Sequence, residues 1–280
     1  MRFVENIADL KQIISELNKT GKSIGFVPTM GALHAGHISL IKQAVSENDF
    51  CVVSIFVNPT QFNNKKDLEK YPRNIDKDCL LLNAAGCDLV FCPSAEEMYS
   101  KEEIESTFKF DFAGLDKVME GKFRQGHFNG VVQVVSKLFS LVMPDKAYFG
   151  EKDFQQLAII HHLVKSANMK ISIIDCPIVR EADGLAMSSR NERLNAEERK
   201  NATGISAILM ESRTFATKLL PEQITEWVIK KINEAPGLQL EYFEIVDVKS
   251  LQKVTDWSNP SIGCIAVFCG DIRLIDNIRY

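Results

Sequence analysis

The chain reads as an α/β protein: a Rossmann-like doubly wound parallel sheet over residues 1–176, followed by a smaller α+β domain over 177–280 that carries a Met-Ser-Ser-Arg loop near its start. Three observations predict this. Apolar runs alternate with helical periodicities as far as residue 176, strand follows strand beyond residue 238, and Pro177 marks a joint between the two patterns. The 280 residues, 45% apolar and 25% charged, are enough to bury a sizeable core.

Taking the elements in order, Ile7, Leu10, Ile13, Ile14 and Leu17 recur at helical spacing, and Gly21 stops that helix before an apolar strand at 24–27. Further strands are read at 51–57 and 89–92, each after a helix, at about 39–47 and 75–85 respectively. Val131, Val134, Val135, Leu138, Phe139 and Val142 mark another helix, closed by Pro144. Short strands at 147–149 and 171–176 flank a helix over 153–168. Right-handed crossovers would make this sheet parallel and cover both of its faces. Beyond the joint come helices near 196–219 and 221–233, then strands near 238–246, 263–268 and 272–275. No internal repeat or low-complexity segment interrupts the pattern.

Composition narrows the function classes. The formal net charge of −4, with a pI near 5.8, argues against nucleic acid as a partner and favours a small substrate. No apolar run approaches the roughly 18 residues that a membrane span requires, and residues 1–18 lack the pattern of a secretory signal, so the expected location is the cytoplasm. Seven cysteines, with no Cys-x-x-Cys, read as buried free thiols.

Chemistry concentrates in two segments. The first, residues 26–37, runs Phe-Val-Pro-Thr-Met-Gly-Ala-Leu-His-Ala-Gly-His, follows the first strand and opens a helix, where an open α/β sheet binds ligands. The helix start suits phosphate, Gly31 and Gly36 allow close backbone approach, and His34 and His37 can donate to phosphate oxygens. Imidazole, with an ordinary pKa of about 6.5, can also carry positive charge there. Two plainer readings compete: structural histidines, or a metal pair. The metal reading lacks a third ligand, because the other histidines are His127, His161 and His162. The second segment, residues 180–191, places Ser188, Ser189 and Arg190 in a polar loop after a strand. Two hydroxyls and a guanidinium can clamp a triphosphate, although the same triplet alone also fits a solvated turn or helix cap.

Together, His34-x-Gly36-His37 and Met187-Ser188-Ser189-Arg190 resemble the two signatures of the nucleotidyltransferase superfamily that includes the class I aminoacyl-tRNA synthetases. The wider context is similar to the pantothenate synthetase family. Segments 27–37, 54–62, 71–73, 124–131, 144–157 and 187–191 match in the family's order, while 195–280 carry no comparable signature. The resemblance implies ATP-dependent condensation of pantoate with β-alanine through a pantoyl adenylate, releasing AMP and pyrophosphate. It implies catalytic roles for His34, His37, Lys152, Ser188, Ser189 and Arg190. The same six residues are implied as ATP contacts, together with Met30, Gly31, Ala32, Leu33, Ala35 and Gly36, with Gly150, Glu151 and Asp153, and with Val179 and Met187.

Gln61, Gln156 and Asn58 are implied as the pantoate and β-alanine contacts, with Met30 and Phe62 supplying apolar bulk for the geminal methyls. Glutamine is otherwise most often a surface residue, and a lysine between acids, as at Lys152, is otherwise solvated. The resemblance also implies Mg²⁺ travelling with ATP, for which no protein ligand is assigned, and a homodimer. Asp76 and Asp78 read as surface carboxylates in preference to groups behind the site, and the sequence leaves the roles of Arg124 and His127 open.

Three alternatives differ in kind. A nucleotidyltransferase acting on a phosphate ester would need more cationic groups where the chain has Gln61 and Gln156. An aminoacyl-tRNA synthetase would need a tRNA-binding surface, which neither the acidic balance nor the length of the second domain supplies. A non-catalytic nucleotide sensor would keep the phosphate donors without turnover.

Overall fold

A computed structural model of the chain describes residues 1–105 and 108–280, apart from the side chains of Lys65 and Glu105. The chain opens with β1 (Arg2–Val4) and α1 (Ile7–Thr20). Asn6 caps α1 by accepting the Asp9 N–H at 2.8 Å, and Gly21 ends it in the left-handed conformation. Next come β2 (Ile24–Thr29), α2 (Ala35–Glu47) and β3 (Phe50–Ile55). The short α3 (Lys65–Glu69) precedes α4 (Ile75–Ala84), β4 (Leu89–Phe91) and three brief helices, α5 (Ala95–Met98), α6 (Lys101–Glu105) and α7 (Met119–Phe123). The long α8 (His127–Val142) leads to β5 (Lys146–Gly150), α9 (Phe154–Ser166) and β6 (Ser172–Cys176).

These six strands form one parallel sheet in the order β1-β4-β3-β2-β5-β6. The chain winds outward from β2 through β3 to β4, then returns to the other side of β2 for β5 and β6. The α/β expectation therefore holds, and the direction of winding reverses between β2 and β5. Strands β2 to β4 are almost wholly buried, as a sheet with helices on both faces requires. One core lies on the side of α1, α8 and α9, around Leu10, Phe26, Leu89, Val132 and Ile160, and a second lies under α2 and α4, around Val27, Ile41, Val53 and Leu82.

The remaining elements are α10 (Ala196–Arg213), α11 (Pro221–Glu234) and the antiparallel strands β7 (Leu238–Asp247), β8 (Ser261–Cys269) and β9 (Ile272–Arg279), in the order β7-β8-β9. This small sheet is apolar on both faces. Phe243, Ile245, Ile265, Val267 and Leu274 pack with Ile205, Leu209, Ile224 and Val228 of α10 and α11. Alternate residues, among them Tyr242, Val246, Ile262, Cys264 and Ala266, join the core of the large sheet. All seven cysteines are free thiols, five of them buried.

Some boundaries differ from the expectation. The helix expected from about residue 39 begins at Ala35, because His34 acts as its cap in place of a hydroxyl or carboxamide residue. β1 leaves no signal in the sequence: three residues are too few to show a period, and the strand is defined only by pairing with β4. The helix expected to 219 ends at Arg213, and the last strand extends to Arg279.

Candidate active site

A cavity of about 230 Å³ opens where the winding reverses, against the carboxyl ends of β2 and β5. Met30, His34, Gly36 and His37 line it from the β2 side, and Gly150, Lys152, Asp153 and Gln156 from the β5 side. Val179, Met187, Ser188, Ser189 and Arg190 close it from the segment after β6, and Gln61 from the segment after β3. Most of the contacts expected for ATP and for the acid thus meet at one place, although they come from four separate segments of the chain.

The loop from β2 to α2 is built by backbone hydrogen bonds. Thr29 Oγ1 donates to the Ser54 carbonyl at 2.7 Å and accepts the Gly31 N–H at 3.2 Å. Gly31 has φ +77°, and a Cβ there would lie 2.9 Å from both Asp78 and Ile55, so only glycine fits. Asp78, reached from the first turn of α4, accepts the N–H groups of Ala32 at 2.9 Å and Leu33 at 2.8 Å. The surface reading of Asp78 is thus corrected: the side chain is 1% exposed and braces the loop, whereas Asp76 stays at the surface. Gly31, Ala32, Leu33 and Ala35 do not line the cavity, and the N–H groups of Gly31, Ala32 and Leu33 are already taken by protein acceptors.

At the start of α2 the two imidazoles cap the helix reciprocally. His34 Nδ1 accepts the Gly36 N–H at 3.2 Å, His37 Nδ1 accepts the His34 N–H at 3.4 Å, and the rings lie 4.1 Å apart. A backbone N–H can only donate, so each Nδ1 is an acceptor and the neutral ring carries its proton on Nε2. Burial pushes His34 down to about 4, assisted by the Lys152 ammonium; burial, then His34 and Lys152, push His37 down to about 3. The expectation of charge near neutral pH is therefore corrected for the free protein: this pair offers neutral Nε2–H donors. A Cβ at Gly36 would lie 2.9 Å from the His34 ring, so this glycine makes room for the imidazole.

Lys152 sits in a 3₁₀ turn, Glu151–Asp153, directly after β5, with Nζ 3.6 Å from Asp153. Glu151 points away from the cavity and takes a 2.6 Å ion pair from Arg279 of β9. The Ser188 hydroxyl accepts the Arg190 N–H at 3.2 Å, capping a short turn at Ser189–Arg193. Ser189 Oγ donates to the Ala32 carbonyl at 2.9 Å, so the two signature segments are tied directly to each other. Arg190 pairs with Asp67 of α3 at 2.8 Å, a carboxylate shared with Arg193 at 2.9 Å, and lies over the Tyr71 ring at 5.8 Å.

On the far wall, Gln61 Nε2 lies 3.1 Å from the Met30 sulfur. Asn58 does not line the cavity. It is 1% exposed and donates to Gln61 at 3.2 Å and to the Gly130 carbonyl at 3.0 Å, while its oxygen accepts the Tyr99 hydroxyl at 3.1 Å. Phe62 also lies off the cavity, with its ring packed against Tyr71. His127, whose role the sequence left open, donates from Nδ1 to the Gln61 carbonyl at 2.8 Å, and Arg124 pairs with Glu120 at 3.3 Å. Val131, Val134, Val135 and Leu138 of α8 form an apolar wall, with Tyr71 and Tyr148 beside the polar groups. The sequence marks these valines only as helix core, because nothing in their spacing tells a core face from a pocket face.

Sheet, switch-point cavity and paired signature loops define a Rossmann-like α/β protein with a polar-lined cavity between β2 and β5. The chain belongs to the pantoate-beta-alanine ligase family, whose model matches residues 2–279. The pantothenate synthetase of Bacteroides thetaiotaomicron is 57% identical over 282 residues, covering 100% of this chain and 99% of the relative; that of Bacteroides fragilis strain YCH46 is 58% identical with the same coverage. The crystal structure of pantothenate synthetase from Thermus thermophilus matches with a TM-score of 0.93 at 39% identity, covering 99% of each chain. Pantoate-beta-alanine ligase from Francisella tularensis, complexed with beta-gamma ATP and beta-alanine, matches with a TM-score of 0.83 at 38% identity, covering 100% of this chain and 97% of that one.

Proposed function

We propose that the chain condenses pantoate with β-alanine at the expense of ATP. The observation that carries this reading is the meeting of His34, His37, Lys152, Ser188 and Arg190 around one cavity, with Ser189 joining the two signature loops. A pantoate carboxylate oxygen attacks the α-phosphorus, the bond to the bridging oxygen breaks and pyrophosphate leaves. The β-alanine amine then attacks the acyl carbon of the pantoyl adenylate, the bond from carbon to the AMP oxygen breaks, and the amine loses a proton. The imidazole Nε2–H groups, the Lys152 ammonium and the Ser188 hydroxyl are suited to the oxygens of the triphosphate, where preorganised donors matter most. Arg190 can serve the same charge once its pairing with Asp67 is shared or exchanged.

Gln61 and Gln156 offer carboxamides to the hydroxy acid, and the α8 valines with Met30 give apolar surface for its methyls. Asn58 acts through Gln61, whose side chain it helps to fix. The second step needs little beyond proximity of a neutral amine to an activated carbonyl.

Among the described residues no three His, Cys, Asp or Glu groups are arranged to hold a metal, and Asp153 is the only carboxylate on the cavity wall. That donor set fits Mg²⁺ carried by phosphate oxygens and water, neutralising charge on the nucleotide. A division of the chain at 176/177, a cytoplasmic location and a homodimer belong to the same reading. Among the described residues no helix is long and apolar enough to cross a membrane.

Incubation with ATP and pantoate alone is expected to release pyrophosphate, and later addition of β-alanine to release AMP. Pyrophosphate exchange that needs no pantoate would overturn the ligase reading. His34→Ala or Lys152→Ala is expected to slow adenylation by about 10²-fold or more, the scale for one preorganised donor. Wild-type adenylation by either variant removes that residue from the mechanism.

A further inference from the structure

The 3₁₀ turn that carries Lys152 has no side-chain cap of its own. Neither Gly150 before it nor Asp153 at its end makes a side-chain capping hydrogen bond, and among the described residues the Lys152 ammonium has one ion-pair contact, a loose 3.6 Å to Asp153. The fastening comes from 125 residues away in the chain. Asn277, on β9 of the small sheet, donates through Nδ2 to the Glu151 carbonyl at 2.8 Å and to the Lys152 carbonyl at 3.1 Å. Asn277 is 5% exposed. Its own backbone is pinned, with the N–H on Asp276 at 2.7 Å and the carbonyl accepting Arg180 at 3.2 Å.

Two nearby residues of the same strand reinforce the arrangement. Arg279, the next side chain along the same face, pairs with Glu151 at 2.6 Å. Asp276 holds Arg180 through two hydrogen bonds of 2.7 and 2.9 Å, and Arg180 in turn donates to the Gly184 carbonyl at 3.1 Å, in the hairpin that leads into Ser188. One strand thus grips the Lys152 turn and the approach to the Ser188–Arg190 loop together.

We infer that Asn277 is a positioning residue for Lys152: its carboxamide fixes two successive carbonyls of the turn and so sets where the ammonium enters the cavity. Lysine carries its charge on a flexible four-carbon stem, so that charge is useful at a defined point only if the backbone it starts from is fixed. A carboxamide suits the task because one NH₂ group can serve two acceptors at once, whereas an aspartate would set its oxygens against both carbonyls. The inference rests on the proposed role of Lys152 at ATP.

The test is a double-mutant cycle read by equilibrium binding of Mg-ATP to the full chain without pantoate, using wild type, Asn277→Ala, Lys152→Ala and the pair. Lys152→Ala is expected to weaken ATP by about tenfold, the scale for a hydrogen bond to a charged group, and Asn277→Ala by about three- to tenfold. The pair is expected to bind no more weakly than Lys152→Ala alone, since a residue that acts through Lys152 has nothing left to position. Losses that multiply, or an Asn277→Ala protein that binds ATP as wild type does, overturn the inference. Should Asn277→Ala fail to fold, Asn277→Ser keeps one donor and is expected to show a smaller loss, again masked by Lys152→Ala; a loss that Lys152→Ala does not mask counts equally against the inference. Because binding is read without turnover, a chain that binds ATP but makes no adenylate refutes the ligase reading while the cycle still decides Asn277.

Discussion

At the scale of single residues, the site depends on side chains whose chemistry is spent on the backbone. Asp78 uses both oxygens on the Ala32 and Leu33 N–H groups, and burial holds its carboxyl above the ordinary carboxylate range. Asp78→Ala would strand two buried N–H groups, each costing about 1–3 kcal/mol, and release the loop that presents His34. Expected outcomes are a loss of about 2 kcal/mol or more in denaturant unfolding, on the same scale for an unpaired buried donor, and slower pantoate-dependent pyrophosphate exchange. A variant with wild-type stability and exchange contradicts the bracing role. The sequence hid this residue because Ile75-Asp-Lys-Asp looks like an ordinary acidic first turn of a helix, and its partners lie 45 and 46 positions upstream. The place of His34 at the cavity was legible, but its protonation was not, since that depends on how deeply the ring is enclosed.

At the scale of elements, the small sheet is locked to the rest of the molecule by charge as well as by its apolar face. Glu120 on α7 accepts Arg273 of β9 at 2.6 and 2.8 Å and the Tyr242 hydroxyl of β7 at 2.9 Å, and Arg273 also pairs with Glu241 at 2.5 Å. Burial alone would raise the Glu120 carboxyl, but the hydrogen bonds and charge of Arg273, with Arg124 behind it, hold it down to about 2. A carboxyl depressed in the folded state contributes stability above its unfolded pKa and loses it as pH falls from about 4.5 towards 2. Arg273→Ala leaves two carboxylates facing each other, with Arg124 at 3.3 Å as the remaining cation beside buried Glu120, an expected cost at neutral pH approaching that of a broken buried pair, about 3–5 kcal/mol. Denaturant unfolding at several pH values checks both parts: the variant should be weaker at neutrality and should lack the acid loss assigned to Glu120. None of this network could be read from the sequence, because Glu120 and Arg273 are 153 positions apart and each looks like a solvated charge.

For the whole molecule, three enclosed imidazoles predict a pH dependence of stability. His34 and His127 are pushed down to about 4 and His37 to about 3, mainly by burial, with Lys152 or Arg124 adding to it. The unfolded chain takes up these protons near 6.5 and the folded chain does not, so stability is full above that value and declines as pH falls towards 4. The midpoint of thermal unfolding is expected to drop between about pH 7.5 and 5. His127→Asn, which can still donate to the Gln61 carbonyl, should flatten that slope, and an unchanged slope would mean that His127 is not sealed from water in the folded state.

The sequence alone determined the order of the main strands and helices, though not β1 or the short α3 and α5 to α7, because β2 to β4 are buried on both faces and must be apolar throughout, and α1 and α8 must show a stripe. It also singled out two of the segments that line the cavity, since His34-x-Gly36-His37 lies at a strand end and Ser188-Ser189-Arg190 completes the pair of signatures it belongs to. Tertiary structure decided the rest: that Asn58 and Glu151 face away from the cavity, that Asp67 holds Arg190, and that Asp78 and Asn277 fasten the loops. Local periodicity records only whether a side chain is buried, whereas the partner of a buried polar group is set by segments that are remote in the chain and adjacent only once the two sheets have packed.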